Sequence, residues 1–151
     1  MASLLDRKEI LCSRKVILLA DDLFKNLNSD DYDCVVLPGG MDAANAFKES
    51  EIIGKLLKDF ETKDKLIAVI CASPIALVHH NIMFGKRLTS HPSVSNQLIE
   101  HYIYKEDKVV VDGKLITSRA PGTAFDFALE IVRSLCGDSK VEETKRPMLL
   151  V

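Results

Sequence analysis

A chain of 151 residues and 16.8 kDa, 47% hydrophobic and 28% charged, has the size and balance of a folded domain, which excludes a disordered or fibrous architecture. Its 20 Lys and Arg stand against 22 Asp and Glu, a formal charge of -2, so no global positive field favours nucleic acid. No apolar run approaches the roughly 20 residues that a bilayer span requires, and the amino-terminal MASLLDRKEI is charged from Asp6 onward. It lacks the apolar stretch of a signal peptide, and an intracellular protein is expected.

The first strand signal is RKVILLADD, residues 14–22, and the second is YDCVVLPGG, residues 32–40, where Pro-Gly-Gly stops the strand. A helical pattern then runs from Asp42 to Phe60, interrupted near Glu49 and Ser50. Ile52, Ile53, Leu56, Leu57 and Phe60 are expected to bury one side of its second part. KLIAVI, residues 65–70, is continuously apolar, as expected of a strand covered on both faces. Residues 72–80 read as the following helix, and a short strand precedes His91 and its turn-forming neighbour Pro92. Residues 107–118 read as two strands joined through Asp112-Gly113. A final helix over residues 122–137 carries a stripe of Phe125, Leu129, Val132 and Cys136, a variant capping box of Thr123 with Asp126, and Gly137 as its stop. No linker or repeat divides the chain, so one α/β domain over residues 1–151 is expected.

The residue that raises a chemical question is Cys71, between the strand and helix patterns of LIAVICASPIAL. It is either a small buried residue or a thiol at the helix start, where free amides and the helix dipole favour the thiolate that attacks electrophiles. Pro74 fits the first helical turn because its missing N–H would have no partner there. LPGGMD, residues 37–42, brings two glycines after another strand. An amide of Gly39 or, by preference, Gly40, with that of Ala72, can stabilise an oxyanion formed on attack by Cys71. His91, in RLTSHPS, is placed to accept the thiol proton or pair with the thiolate.

The remaining candidates have plainer readings. Cys34 and Cys136 are expected to pack, and Cys12 is either accessible or structural. The cysteines form no CxxC pair, His79-His80 lacks further ligands in sequence, and no metal site is expected. His101 suits a surface or dimer contact. LPGG is too short for a dinucleotide turn, so no cofactor is expected. The tail KRPMLLV suits packing against the domain or a second subunit.

Four stretches, VVLPGG (35–40), AVICASPIAL (68–77), TSHP (89–92) and ITSRAPGTAFDFALEIV (116–132), together resemble the DJ-1/PfpI family, nearer to its eukaryotic branch. The resemblance implies a flavodoxin-like three-layer α/β sandwich of the class I glutamine amidotransferase type, usually homodimeric. It matches Cys71 to the attacking or oxidation-sensitive cysteine, His91 to its histidine, and Gly40 with Ala72 to the oxyanion-binding backbone. Arg14, Arg119, Ala120 and Pro121 match pocket or interface residues. The implied activities are glyoxalase or deglycase chemistry on small reactive carbonyls or glycated proteins, oxidative-stress protection and chaperone-like binding of client proteins. The implied locations are the cytoplasm, nucleus or mitochondrion. A noncatalytic redox sensor or chaperone-like interaction protein is the alternative, and an inactive truncated form a further one.

Two departures accompany the resemblance. Relatives carry a first strand, first helix and second strand ahead of the region matched by MASLLDRKEILCSR, with a glutamate that hydrogen-bonds the cysteine. Glu9, Asp21 and Asp22 do not match that glutamate. Without the central first strand, a partner strand, a swapped dimer or a rearranged sheet is expected to cover the opened ladder. The second departure is Ser73, at a position where relatives often have glycine.

Overall fold

The computed structural model describes residues 1–150, and the chain forms two compact units, Met1–Tyr32 and Asp33–Val151. In the first, β1 (Ala2–Ser3) pairs in parallel with β4 (Asp22–Leu23), and β2 (Glu9–Leu11) pairs antiparallel with β3 (Ile17–Leu19). The strand expected over residues 14–22 is therefore shorter and broken. Arg14 and Lys15 have φ of 59° and 63°, and the Val16 N–H donates to the Ser13 carbonyl at 3.4 Å. Positive φ at both central residues makes a hairpin turn, which cannot extend a strand. Leu11, Ile17 and Leu19 leave this hairpin largely exposed.

The second unit is built on a four-stranded sheet in the order β5 (Cys34–Leu37), β6 (Leu66–Ile70), β10 (Leu115–Ser118), β9 (Val109–Asp112). The first three run parallel, and β9 turns back antiparallel to β10. The turn uses Asp112-Gly113, with Gly113 at φ 64°, as the sequence predicts. A separate short parallel pair joins β7 (Arg87–Leu88) to β8 (Ile103–Tyr104).

Burial explains the apolar run of β6. Leu66 and Ala68 point to one face, where they cluster with Ile116 and Phe127. Ile67 and Val69 point to the other and are fully buried as well. Both faces are thus covered, the arrangement expected of a parallel sheet.

The helical run after β5 is two helices, α1 (Met41–Glu49) and α2 (Glu51–Thr62), divided where the sequence predicts an interruption. Ser50 caps α2 by accepting from the Ile53 N–H at 3.4 Å. Ile53, Leu57 and Phe60 are buried, whereas Ile52 is turned outward. Spacing at i, i+4 and i+7 selects those three for one face and leaves Ile52 off it. Helix α3 (Pro74–His79) follows β6, and at its end His80 Nε2 lies 3.0 Å from the Phe47 carbonyl.

The last helical region differs from expectation in its facing. Helix α4 (Ala124–Cys136) buries Phe127 against the sheet, with Ile131 beside it. Phe125 and Cys136 are exposed. The expected stripe is rotated away from the core, because the two aromatic residues lie two positions apart and only one can face inward. The expected capping box is also replaced: Thr123 Oγ1 contacts Ser118 Oγ at 2.6 Å and accepts from the Ala120 N–H at 3.1 Å. Gly137, at φ 84°, stops α4 as predicted and starts α5 (Asp138–Lys145). Beyond it Met148 and Leu149 are exposed and Leu150 is half-buried. Among the described residues no helix is long and apolar enough to cross a membrane.

Candidate active site

Strands β5, β6 and β10 are parallel, so the segments leaving them emerge at one edge of the sheet. They are Pro38–Gly39–Gly40 after β5, Cys71–Ala72–Ser73 after β6, and Arg119–Ala120–Pro121 after β10. The carboxyl edge of a parallel sheet is where such folds open a crevice. A further segment joins them, because the His91 N–H donates to the Cys71 carbonyl at 2.8 Å.

Cys71 is held in a conformation unusual for a residue with a side chain. Its φ is 67°, in the left-handed region that costs an L-residue about 1–2 kcal/mol. Hydrogen bonds on both sides impose it: the Cys71 N–H donates to the Ser118 carbonyl at 2.9 Å, and the Ser73 N–H reaches back to the Ile70 carbonyl at 3.3 Å. The result is a sharp elbow from strand to helix with a partly exposed thiol at its apex. Strain at such a junction is a recurrent property of functional sites.

The glycine pair serves this elbow in two different ways. A side chain at Gly39 would place its Cβ 2.5 Å from Cys71 Cβ and 3.3 Å from Sγ, so close approach demands glycine. Gly40 has open space around it but φ of 109°, so its backbone conformation demands glycine. Gly40 also precedes α1, its carbonyl accepting from the Ala44 N–H at 2.9 Å. Among the described residues, the N–H groups of Gly39, Gly40 and Ala72 donate to no protein acceptor. Such amides next to a thiolate are the raw material of an oxyanion-binding site.

His91 and Cys71 meet through their backbones, and among the described residues no hydrogen bond joins their side chains. The imidazole is committed elsewhere: Nδ1 accepts from the Ser93 N–H at 3.2 Å and lies 2.8 Å from Ser93 Oγ. With Nδ1 accepting, the neutral ring carries its proton on Nε2 and presents a donor there. That suits stabilising a negative atom better than removing the proton of Cys71.

The other candidates are placed as follows. Arg119 is half-buried, its guanidinium donating to the Glu106 carbonyl at 2.7 Å. Ala120 is tied to Thr123 Oγ1, and Pro121 is exposed at the start of a single helical turn, Pro121–Thr123. Arg14 belongs to the hairpin turn of the first unit, outside the unit that carries Cys71. Among the described residues no carboxylate is hydrogen-bonded to Cys71, and no group of three or more His, Cys, Asp or Glu is arranged to hold a metal ion.

Sequence reasoning missed two contacts. Ser93 fixes the tautomer of His91, a role whose signal was its place two residues beyond the histidine. Ser73 is fully buried and donates its hydroxyl to the Pro38 carbonyl, whereas in the sequence it stood out only as a departure from the glycine often found there.

Comparison with known proteins places the fold in a family. The model of the DJ-1/PfpI family matches residues 1–134. The chain belongs to the DJ-1/PfpI family. It is 46% identical to protein dj-1beta of Drosophila melanogaster over 151 residues, covering 99% of this chain and 81% of that protein. It is 35% identical to the glutathione-independent glyoxalase DJR-1.2 of Caenorhabditis elegans, covering 93% of this chain and 75% of that protein. The crystal structure of Drosophila melanogaster DJ-1beta superposes with a TM-score of 0.92 at 47% identity, over 95% of this chain and 78% of that one. Oxidized DJ-1 of Toxoplasma gondii superposes with a TM-score of 0.91 at 31% identity, over 98% of this chain and 80% of that one. The α/β fold of this chain is thus the fold of the DJ-1/PfpI family.

Proposed function

We propose that the chain converts small 2-oxoaldehydes to 2-hydroxy acids through Cys71. The observation that carries this reading is the elbow itself, a partly exposed thiol at positive φ with Gly39 pressed against it. A relative named as a glutathione-independent glyoxalase supports the substrate class.

The chemistry is redox-neutral. The Cys71 thiolate forms a bond to the aldehyde carbon, and the former carbonyl oxygen takes the charge, facing the Gly40 and Ala72 amides. A proton leaves that carbon and returns to the neighbouring carbon as its ketone is reduced, giving a thioester of the 2-hydroxy acid. Water carries this proton, and the His91 Nε2–H donates to the developing alkoxide. Hydrolysis of the thioester by a second water releases the acid and restores the thiol. A protein-bound hemiaminal or hemithioacetal adduct enters the same sequence once its carbon–nitrogen or carbon–sulfur bond breaks, releasing the protein amine or thiol and reforming the free aldehyde. Lactate release from methylglyoxal by the wild-type chain and by Cys71→Ser tests the reading; equal rates would remove Cys71 from the reaction.

A second reading, oxidation of Cys71 in response to stress, is supported by the partial exposure of the thiol and by the oxidized state of the Toxoplasma relative. Two equivalents of peroxide would take the thiolate through sulfenate to sulfinate, each releasing water. A mass gain of two oxygens in the wild type but not in Cys71→Ser tests it. For either role we place a second copy of the chain against the exposed Leu11, Ile17 and Leu19 of the β2–β3 hairpin. Sedimentation of the wild type against Ile17→Lys tests that assembly.

A further inference from the structure

We propose that Ser73 is a positioning residue, whose hydroxyl fixes the Pro38–Gly39 peptide plane and so holds the glycine loop in register with Cys71 Sγ. Ser73 is fully buried, and a buried hydroxyl without a partner is unfavourable. Its Oγ finds that partner in the Pro38 carbonyl, 2.5 Å away and 35 residues earlier in the chain. The bond spans the carboxyl ends of two neighbouring strands, since Pro38 follows β5 and Ser73 follows β6.

The consequence follows from peptide planarity. Fixing the Pro38 oxygen fixes the plane that contains the Gly39 N–H, because rotation about the amide bond is closed. Gly39 and Gly40 have no side chains to resist rotation of their own planes, and glycine has wide conformational freedom. Among the described residues, the Ser73 hydroxyl makes the one side-chain hydrogen bond to residues 38–40. The same loop lies within contact of the nucleophile, with the position of a Gly39 Cβ 3.3 Å from Cys71 Sγ. The backbone of Ser73 is itself anchored, its N–H on the Ile70 carbonyl and its carbonyl accepting from the Ala76 N–H at 3.0 Å. Ser73 thus ties the elbow to the peptide that carries the Gly39 N–H, one residue ahead of the Gly40 amide, and so fixes the start of the loop that brings Gly40 to the site.

The catalytic consequence rests on the aldehyde reading above; the structural consequence does not. The test compares wild type, Ser73→Ala and Ser73→Gly by three measurements on the full chain. Turnover of methylglyoxal is expected to lose about ten- to a hundredfold in kcat with little change in KM, somewhat less than complete removal of an oxyanion donor. Alkylation of Cys71 by iodoacetamide, a displacement that generates no oxyanion, is expected to stay within about threefold, since the thiolate itself is unaltered. The amide resonances of Gly39 and Gly40 are expected to broaden or shift in both variants while those of α4 remain in place. Unchanged glycine resonances overturn the proposal, as does a loss of alkylation parallel to that of turnover, which would mean collapse of the elbow. If the wild type does not turn over methylglyoxal, perturbed glycine resonances still support the tether and the aldehyde reading alone fails. Should Ser73→Ala not fold, the same outcomes are read from Ser73→Gly.

Discussion

Gly39 and Cys71 are in such close approach that a methyl group on Gly39 would lie 2.5 Å from the cysteine Cβ. Neither neighbour can yield without moving a strand end, because Cys71 is held by the Ser118 carbonyl and its own elbow. Gly39→Ala is therefore expected to cost about 1–3 kcal/mol of stability, the usual range for overpacking. Urea denaturation measures the loss, and alkylation of Cys71 in the folded fraction should change rate with it.

The elbow also predicts an opposition between stability and chemistry. Cys71 has φ of 67°, which glycine adopts freely and other residues adopt at a cost. Cys71→Gly should exceed Cys71→Ala in stability by about 1 kcal/mol, while both lose thiol chemistry. Equal stabilities would show that the elbow carries no backbone strain.

Three of the four cysteines, Cys34, Cys71 and Cys136, should separate by reactivity. Burial, with the charge of Asp33 adding to it, pushes the Cys34 thiol up to about 11. At pH 8 its thiolate is then on the order of one part in a thousand. Peptide mapping after a short iodoacetamide pulse should find Cys34 unmodified and Cys136, exposed on α4, modified along with Cys71. Early labelling of Cys34 would contradict the packing of β5.

Parts of this architecture were legible in the sequence because each was a local matter. Asp112-Gly113 has the chemistry of a tight hairpin, Glu49-Ser50 marks the interruption between two helices, and the unbroken apolar run of β6 is that of a strand covered twice. The α4 face was not, since Phe125 and Phe127 compete for one inward direction and tertiary packing chooses Phe127. The hairpin at Arg14-Lys15 was hidden for a different reason: its turn lacks the Asn-Gly chemistry that normally announces positive φ. At the site, Cys71, Gly40 and His91 stood out by type and order. The Ser73–Pro38 and His91–Ser93 bonds depend on directions that no pattern of residue types reveals.

A pH dependence follows from Asp112. The Arg87 backbone N–H donates to it at 2.9 Å, and with the nearby Lys86 and Arg87 charges this holds its carboxyl below the ordinary range. A folded-state value below the unfolded one contributes stability above the unfolded value, and that contribution is lost as the pH falls through the folded value. Asp112→Asn should accordingly be less stable than wild type at neutral pH, with the gap closing as the pH falls below the ordinary carboxylate range. A gap constant across this range would show that the carboxylate charge contributes nothing.

The central claim concerns Cys71 and is tested most directly by following methylglyoxal by NMR in D₂O with wild-type protein and with Cys71→Ser. Lactate formed only by the wild type, carrying solvent deuterium at its second carbon, would establish cysteine-dependent conversion with a proton passed through water. A cooperatively folded wild-type sample that forms no lactate, or one matched by Cys71→Ser, would contradict it.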